Sequence, residues 1–82
     1  MIKVLFFARL REELGIEGLQ WPWQAGMTLA ELLSQLQGQG EPWASCLAQP
    51  NLLAAVNQAI VDSQEPVDDG DEVAFFPPVT GG

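Results

Sequence analysis

The chain has 82 residues, 48% of them hydrophobic, and carries three basic and eleven acidic side chains for a formal net charge of −8. This length predicts one domain with a modest core, since a domain of this size buries about 60% of the surface that its unfolded chain exposes. The negative charge would repel phosphate backbones and anionic membranes. Composition therefore argues against nucleic-acid or membrane binding and favours a basic protein partner.

The numbers of cysteines and histidines limit which chemistry this chain can carry and indicate its cellular compartment. The chain has one cysteine, Cys46, and no histidine, so it can form no internal disulfide and lacks the commonest general base and metal ligand. The apolar run 4–8 is too short for a secretory signal and no stretch could span a bilayer, so we expect a cytoplasmic protein. We expect Cys46 to be a buried, unreactive thiol, because its neighbours are apolar and none is basic.

The first part of the chain predicts two paired strands around a short helical turn. Residues 1–8 alternate with period two, and the core-facing positions are Ile2, Val4 and Phe6. The outer face is then formed by Lys3, Leu5 and Phe7. Residues 9–14 can form a helical turn that ends at Gly15. In the second strand Leu19, Trp21 and Trp23 alternate with other residues, and Pro22 marks a sheet edge.

The middle of the chain predicts one amphipathic helix. Thr28 and Glu31 fit the S/T-x-x-E capping box, and leucines then recur at helical spacing, namely Leu29, Leu32, Leu33 and Leu36. Gly38 and Gly40 end this helix, and a second, short helix is predicted at 43–47.

The last third of the chain predicts three strands, at 52–56, 59–61 and 73–76. Pro66 and the acidic run 68–71 indicate a turn between the last two strands. The predicted fold class is therefore α+β, a mixed sheet of about five strands covered on one face by one main helix plus short helical turns.

The charged residues offer few candidates for chemistry. A cation site or a catalytic carboxylate pair is conceivable at Asp68, Asp69, Asp71 and Glu72, but the spacing lacks the calcium-loop pattern, and acidic turn residues are commonly solvated. We interpret this run as a turn. Arg9 and Arg11 could pair with acids of a partner or with Glu12 and Glu13.

The open face of the sheet is a candidate docking surface. Alternation on the last strand points Val73 and Phe75 inward and Ala74 and Phe76 outward. The outward pair lies on the side of Leu5 and Phe7, and Ile60 can join them. Exposed large apolar side chains on a sheet are what a docking surface needs. The alternative is that they lie under a loop as a second small core.

The end of the chain, Phe75-Phe76-Pro77-Pro78-Val79-Thr80-Gly81-Gly82, is its most informative feature. The two prolines end sheet pairing and favour an extended path, while the two glycines can pass a channel too narrow for other residues. We expect a domain at 1–76 and a tail at 77–82, which could reach about 20 Å at about 3.3 Å per residue and would end in a free carboxylate. A frayed terminus is the alternative, although a disordered end rarely begins with two aromatic rings.

Three segments of the chain carry a family pattern. They are Ile2-Lys3-Val4-Leu5-Phe6-Phe7-Ala8 with Arg11-Glu12 and Leu14-Gly15, then the helix start at Thr28 with Leu53-Ala54-Ala55-Val56-Asn57-Gln58, and finally residues 69–82. Together they resemble the ubiquitin-like β-grasp sulfur carriers, and within them the small subunits of molybdopterin synthases. The last segment is the specific one, whereas residues 16–26 and 37–52 match little beyond Trp43.

The resemblance implies a cycle of activation and sulfur transfer. A ubiquitin-activating-enzyme-like adenylyltransferase would use ATP and Mg to adenylate Gly82, and a sulfur relay such as a cysteine desulfurase would then convert it to a thiocarboxylate. The tail would next enter the large subunit, in a heterotetramer of two small and two large subunits, and donate sulfur to cyclic pyranopterin monophosphate to form the molybdopterin dithiolene. The chain itself would bind no cofactor and no metal.

The same resemblance assigns roles to residues. Gly82 would carry the sulfur, Gly81 would allow passage through the channel, and Val79 and Thr80 would contact the partner. The remaining partner-binding residues would be Phe7, Ile60, Phe76, Pro77 and Pro78. Three rival hypotheses stay open: a sulfur carrier for thiazole (thiamine) synthesis, a ubiquitin-like protein modifier, and a non-catalytic docking module with an idle tail.

Overall fold

The structure, a computed structural model, describes residues 1–77. The elements in chain order are β1 (Ile2–Phe6), α1 (Arg9–Leu14), β2 (Gly18–Trp21), α2 (Leu29–Gln37), α3 (Trp43–Cys46), β3 (Leu53–Val56), β4 (Ala59–Val61) and β5 (Glu72–Phe76). The predicted tail lies outside the described residues except for Pro77. Within the described part, no helix is long and apolar enough to cross a membrane.

The strands form one mixed sheet in the order β2-β1-β5-β3-β4. β1 and β5 are parallel neighbours at its centre, and the other three pairs are antiparallel. The apolar side of α2 packs on one face of this sheet, which we call the inner face. The predicted α+β class with a ubiquitin-like β-grasp sheet is confirmed.

The core forms where the inward positions of β1 and β5 meet helix α2. All five positions that strand alternation predicts to face the core are almost completely buried, namely Ile2, Val4, Phe6, Val73 and Phe75. The rings of Phe6 and Phe75 stack at 6.3 Å, and Trp43 meets Phe6 edge-on at 5.5 Å. Because burial of apolar surface is the main favourable term in folding, this cluster sets the position of β5 in the sheet.

Local signals in the sequence define both longer helices. The Thr28 hydroxyl oxygen accepts a hydrogen bond from the Glu31 amide at 3.3 Å, so the predicted N-cap of α2 is confirmed. Gly15 ends α1 in the left-handed region at φ 77°, where a side chain would be strained.

The second strand is shorter than predicted, because β2 ends at Trp21. Pro22 has no amide hydrogen to continue the ladder, and Trp23 lies beyond the strand. The indole of Trp23 instead donates to the Val67 carbonyl at 2.7 Å, and the indole of Trp21 donates to Gln35 in α2 at 2.7 Å. The two tryptophans therefore tie the end of β2 to the helix and to the segment before β5.

The other differences from the prediction concern element ends. β1 excludes Met1, Phe7 and Ala8, β3 begins one residue late at Leu53, α3 ends at Cys46, and β5 begins one residue early at Glu72. Such shifts are ordinary, since hydrogen-bond geometry at the ends of elements depends on the partner strand or helix.

Candidate docking surface

The three predicted docking side chains lie around one groove on the outer face of the sheet. The groove has a volume of about 460 Å³ and is lined by Phe7, Ala55, Gln58, Ile60, Glu72, Ala74 and Phe76. Phe7 is 44% and Ile60 is 62% exposed, while Phe76 is half-buried. These exposures favour an open surface over a second small core. We call this surface the docking groove.

Strand register explains why the groove is concave. Ala55 of β3 lies directly opposite Ala74 of β5 on one side and Ile60 of β4 on the other. Two alanines therefore form the floor, and larger apolar side chains rise beside them. A row of small residues between large ones leaves room for a side chain of a partner protein.

Phe7 is held in place by the backbone on both sides of its side chain. Its amide donates to the Phe75 carbonyl at 3.1 Å, and its carbonyl accepts from the Leu10 amide at 3.2 Å. Ala8 lies in the turn that the Leu10–Phe7 hydrogen bond closes. Its backbone angles, φ 55° and ψ −132°, fall in a region of φ/ψ space that only glycine adopts readily. The turn at Ala8 thus sends the chain from the outer-face Phe7 into α1.

Pro77 lies half-buried where β5 ends beside Phe76. It is the one residue of the predicted tail that the structure describes. The other proposed tail contacts and the sulfur-bearing position lie outside the described residues, namely Pro78, Val79, Thr80, Gly81 and Gly82.

The acidic run 68–72 makes hydrogen bonds within its own turn and to Asn57. The Asp71 carboxylate accepts from the Asn57 side-chain amide at 3.0 Å and from the Asp68 amide at 2.8 Å, and the Asn57 side-chain oxygen accepts from the Glu72 amide at 3.0 Å. Asp69 forms an ion pair with the N-terminal ammonium. Within residues 1–77, no group of three or more histidine, cysteine or acidic side chains could hold a metal ion. These bonds support the interpretation as a turn, and Asn57 is a link that the sequence did not indicate.

Cys46 is buried, and its sulfur lies 3.5 Å from a carboxylate oxygen of Glu13. Burial raises the pKa of the Cys46 thiol, and the nearby Glu13 carboxylate raises it further. Both effects disfavour the reactive thiolate, which agrees with the predicted unreactive thiol. Glu13 was not predicted to contribute, because it is 33 residues away in sequence.

The two arginines of α1 pair with carboxylates of the chain. Arg9 lies 3.4 Å from Glu13, as one of the predicted alternatives had it. Arg11 lies 3.9 Å from Glu17, a residue that neither alternative named, because Gly15 turns the chain back and brings Glu17 beside the helix. Pairing of Arg11 with acids of a partner stays a prediction.

Comparison with known proteins adds the family. The sequence pattern of the ThiS family matches residues 4–82. The chain belongs to the ThiS family. It is 51% identical over 83 aligned residues to the molybdopterin synthase sulfur carrier subunit of Escherichia coli (strain K12), with 100% of both chains covered. It is 42% identical to the subunit of the same name in Haemophilus influenzae, again with full coverage of both. The resemblance found in the sequence is therefore confirmed.

One more distant relative and two solved structures are also similar to this chain. Small archaeal modifier protein 3 of Haloferax volcanii is 28% identical over 99% of this chain and 98% of its own. A putative molybdopterin converting factor subunit 1 from Pyrococcus furiosus superposes with a TM-score of 0.80 at 26% identity, covering 95% of this chain and 97% of that one. A complex of subunits 1 and 2 of the molybdopterin-converting factor from Helicobacter pylori contains a chain with a TM-score of 0.66 at 29% identity, covering 99% and 97%.

Proposed function

We propose that this ThiS-family chain is the sulfur carrier of a molybdopterin synthase and acts in molybdenum cofactor biosynthesis in the cytoplasm. The observation that carries the proposal is full-length similarity, at 51% identity, to a molybdopterin synthase sulfur carrier subunit. The sequence ending Val79-Thr80-Gly81-Gly82 supports it, because a glycine carboxylate can be activated without steric hindrance from a side chain.

In the proposed cycle Gly82 first gains a leaving group. Its carboxylate attacks ATP in the active site of an adenylyltransferase, pyrophosphate leaves, and an acyl-adenylate forms. The terminal sulfur of a persulfide on a relay protein such as a cysteine desulfurase then displaces AMP and forms an acyl disulfide. A thiol reductant cleaves the S–S bond of this acyl disulfide and is itself oxidised to a disulfide, which leaves a thiocarboxylate on Gly82. Sulfur is a stronger nucleophile than the carboxylate oxygen that it replaces, so the carrier can deliver it to an electrophilic carbon.

In the second half of the cycle the tail enters the large subunit, whose active site would convert cyclic pyranopterin monophosphate to the dithiolene. A chain with a net charge of −8 and no histidine is poorly suited to bind an anionic pterin or to exchange protons near neutral pH. The large subunit would therefore supply the cations and the acid–base groups, and the carrier would contribute sulfur and docking. A heterotetramer of two small and two large subunits is the proposed assembly.

The docking groove would hold the carrier on its partners while the tail reaches the active site. Phe7, Ile60 and Phe76 surround two alanines there. The Helicobacter pylori structure is a complex of subunits 1 and 2 of a molybdopterin-converting factor, and it supports a large-subunit partner for this chain.

The deciding experiment is intact-protein mass spectrometry after incubation with the activating enzyme, Mg-ATP and a sulfide donor. We expect a mass increase equal to the exchange of one oxygen for sulfur, and no increase in a control chain lacking Gly82. As a control, the activating enzyme should be shown to modify a carrier that it is known to serve. If that enzyme leaves the mass of this chain unchanged, the proposal is contradicted.

The Gly82→Ala variant tests the role of the last residue. We expect it to fold normally and to lose most adenylation or transfer, because the added methyl group meets a channel shaped for glycine. Dithiolene formation with the large subunit is the measurement. Near-normal turnover would remove Gly82 from its proposed role.

The Phe76→Asp variant tests the docking groove. A charge in the groove should weaken binding to the activating enzyme and to the large subunit by about tenfold or more, since truncation of a central aromatic anchor commonly has this effect. Titration calorimetry measures both affinities. An unchanged affinity for either protein would show that its contact lies elsewhere.

A protein modifier is the second candidate function, because one relative at 28% identity is named a small archaeal modifier protein. Isopeptide-linked conjugates of this chain in cell extracts, dependent on Gly82, would favour that function. Reconstituted dithiolene formation with the large subunit would favour the sulfur carrier, and it would also separate this role from sulfur delivery to thiazole synthesis.

A further inference from the structure

The outer face of the sheet contains a row of residues that runs across all five strands. Direct cross-strand pairs link its members one after another, in the order Gly18, Leu5, Ala74, Ala55 and Ile60. At about 4.8 Å between neighbouring strands the row is about 19 Å long. Every member is apolar, so the row forms a continuous uncharged strip, which we call the transverse row.

The two flanks of the transverse row differ in chemistry. On one side Gln20, Lys3 and Glu72 are cross-strand neighbours, and the Lys3 ammonium lies 3.9 Å from the Glu72 carboxylate. On the other side lie Phe7, Phe76 and Leu53, with Leu53 directly opposite Phe76. The charges of Lys3 and Glu72 offset each other, so this face does not share the strong negative charge of the whole chain.

A second groove lies at the far end of the transverse row from Ile60. It has a volume of about 760 Å³. Its lining consists of the apolar residues Val4, Leu5, Ile16, Gly18 and Leu19 and the polar residues Lys3, Glu17 and Gln20. A Cβ atom on Gly18 would lie 2.5 Å from the Val4 carbonyl oxygen, so this position must be glycine. The floor of this groove at Gly18 is therefore backbone. The side chain of Ile16, which is 36% exposed, forms one wall of the groove. We call this groove the Gly18 slot.

The docking groove alone is small for a stable complex. A specific protein interface commonly covers about 800 Å² and about 20–30 residues on each partner, whereas seven residues line the docking groove. The transverse row extends from this groove without a charged interruption and leads over Leu5 to the Gly18 slot. It is the direction in which the outer face offers more apolar contact.

We propose that the partner protein covers the whole transverse row and inserts an apolar side chain into the Gly18 slot beside Ile16. The inference rests on the proposed function, since the partner is the large subunit that receives the tail. The partner surface would be an apolar ridge about 19 Å long, at about 4.8 Å per strand crossed, that carries no excess charge where it faces Lys3 and Glu72. The slot then fixes the orientation of the carrier, because contacts at both ends of the sheet prevent rotation about the docking groove.

The Ile16→Asp variant tests this footprint by titration calorimetry with the purified large subunit. We expect about tenfold weaker binding or more, because the aspartate would lie against the apolar ridge of the partner. Ala25→Asp is the matched control, since Ala25 is exposed in the loop between β2 and α2 and belongs to neither the transverse row nor the Gly18 slot. This variant should bind like the parent chain. An Ile16→Asp affinity within twofold of the parent value overturns the inference.

Hydrogen exchange of the parent chain gives a second test that needs no variant. Amides of residues 16–21 should exchange more slowly in the complex with the large subunit than in the free chain, because the partner covers the edge strand β2. Unchanged exchange there, with slowed exchange around Phe76, also overturns the inference. By contrast, failure of the parent chain to bind the large subunit, or to gain sulfur at Gly82, contradicts the proposed function itself.

Discussion

The inner and outer faces of the sheet differ most clearly at two adjacent, chemically identical residues. Phe75 points inward, is 1% exposed and stacks on Phe6 at 6.3 Å. Phe76 points outward, is half-buried and lines the docking groove. The same side chain thus contributes mainly to stability at one position and offers a binding surface at the next. Strand alternation alone separates the two properties.

The largest expected effect comes from truncating the inner of these two residues. Phe75→Ala should lower the free energy of unfolding by about 3–5 kcal/mol, because it removes buried area and leaves a cavity beside Phe6. Urea denaturation measures this loss. A domain of this size has modest stability, so a substantial part of the variant should be unfolded at 37 °C.

Phe76→Ala is the matched variant for the outer face. We expect a change of less than about 1 kcal/mol in unfolding free energy, as for a partly exposed side chain, but clearly weaker binding to the large subunit. Equal losses of stability in the two variants would show that the outer face contributes to folding as much as the inner one.

The turn that links the two faces should respond to Ala8→Gly. Ala8 has φ 55° between Phe7 on the outer face and α1, and relief of this backbone strain should raise the unfolding free energy by about 1 kcal/mol. Thermal and urea denaturation check the sign. Ala30→Gly makes the same chemical change inside α2, where it should instead destabilise by about 0.5–1 kcal/mol. A destabilised Ala8→Gly chain would mean that the turn is not strained.

The last comparison concerns the pH dependence due to Cys46, on the inner side of the sheet. Its pKa is raised above the ordinary value of 9.0, so the unfolded chain loses this proton at a lower pH than the folded chain. The contribution to stability is complete below the unfolded pKa and decreases as the pH rises through the folded pKa, with a slope of at most about 1.4 kcal/mol per pH unit. Urea denaturation of the parent and of Cys46→Ala between pH 8 and 10 should show a steeper alkaline decline for the parent. Parallel curves would contradict this assignment.

Short-range patterns in the sequence were sufficient for most elements. The alternation in 1–8 and 73–76 assigned the inner and outer residues correctly, and the Thr28 capping box located the start of α2. The signals are local because strand alternation and capping depend on residues a few positions apart. The early end of β2 also has a local cause, since Pro22 cannot continue the ladder. Only the partner of the Trp23 indole, the Val67 carbonyl 44 residues away, lies beyond the reach of local patterns.

The sequence by itself determined the fold class, the core-facing positions of β1 and β5, and the outward-facing apolar residues Phe7, Ile60 and Phe76. Only the tertiary structure decided which outward residues are neighbours. The transverse row joins residues from five strands, and its register depends on pairings such as Leu5 with Ala74 that no local pattern encodes. The reason is physical: alternation gives each residue a face, but hydrogen bonding between strands far apart in sequence determines which residues share a row on that face.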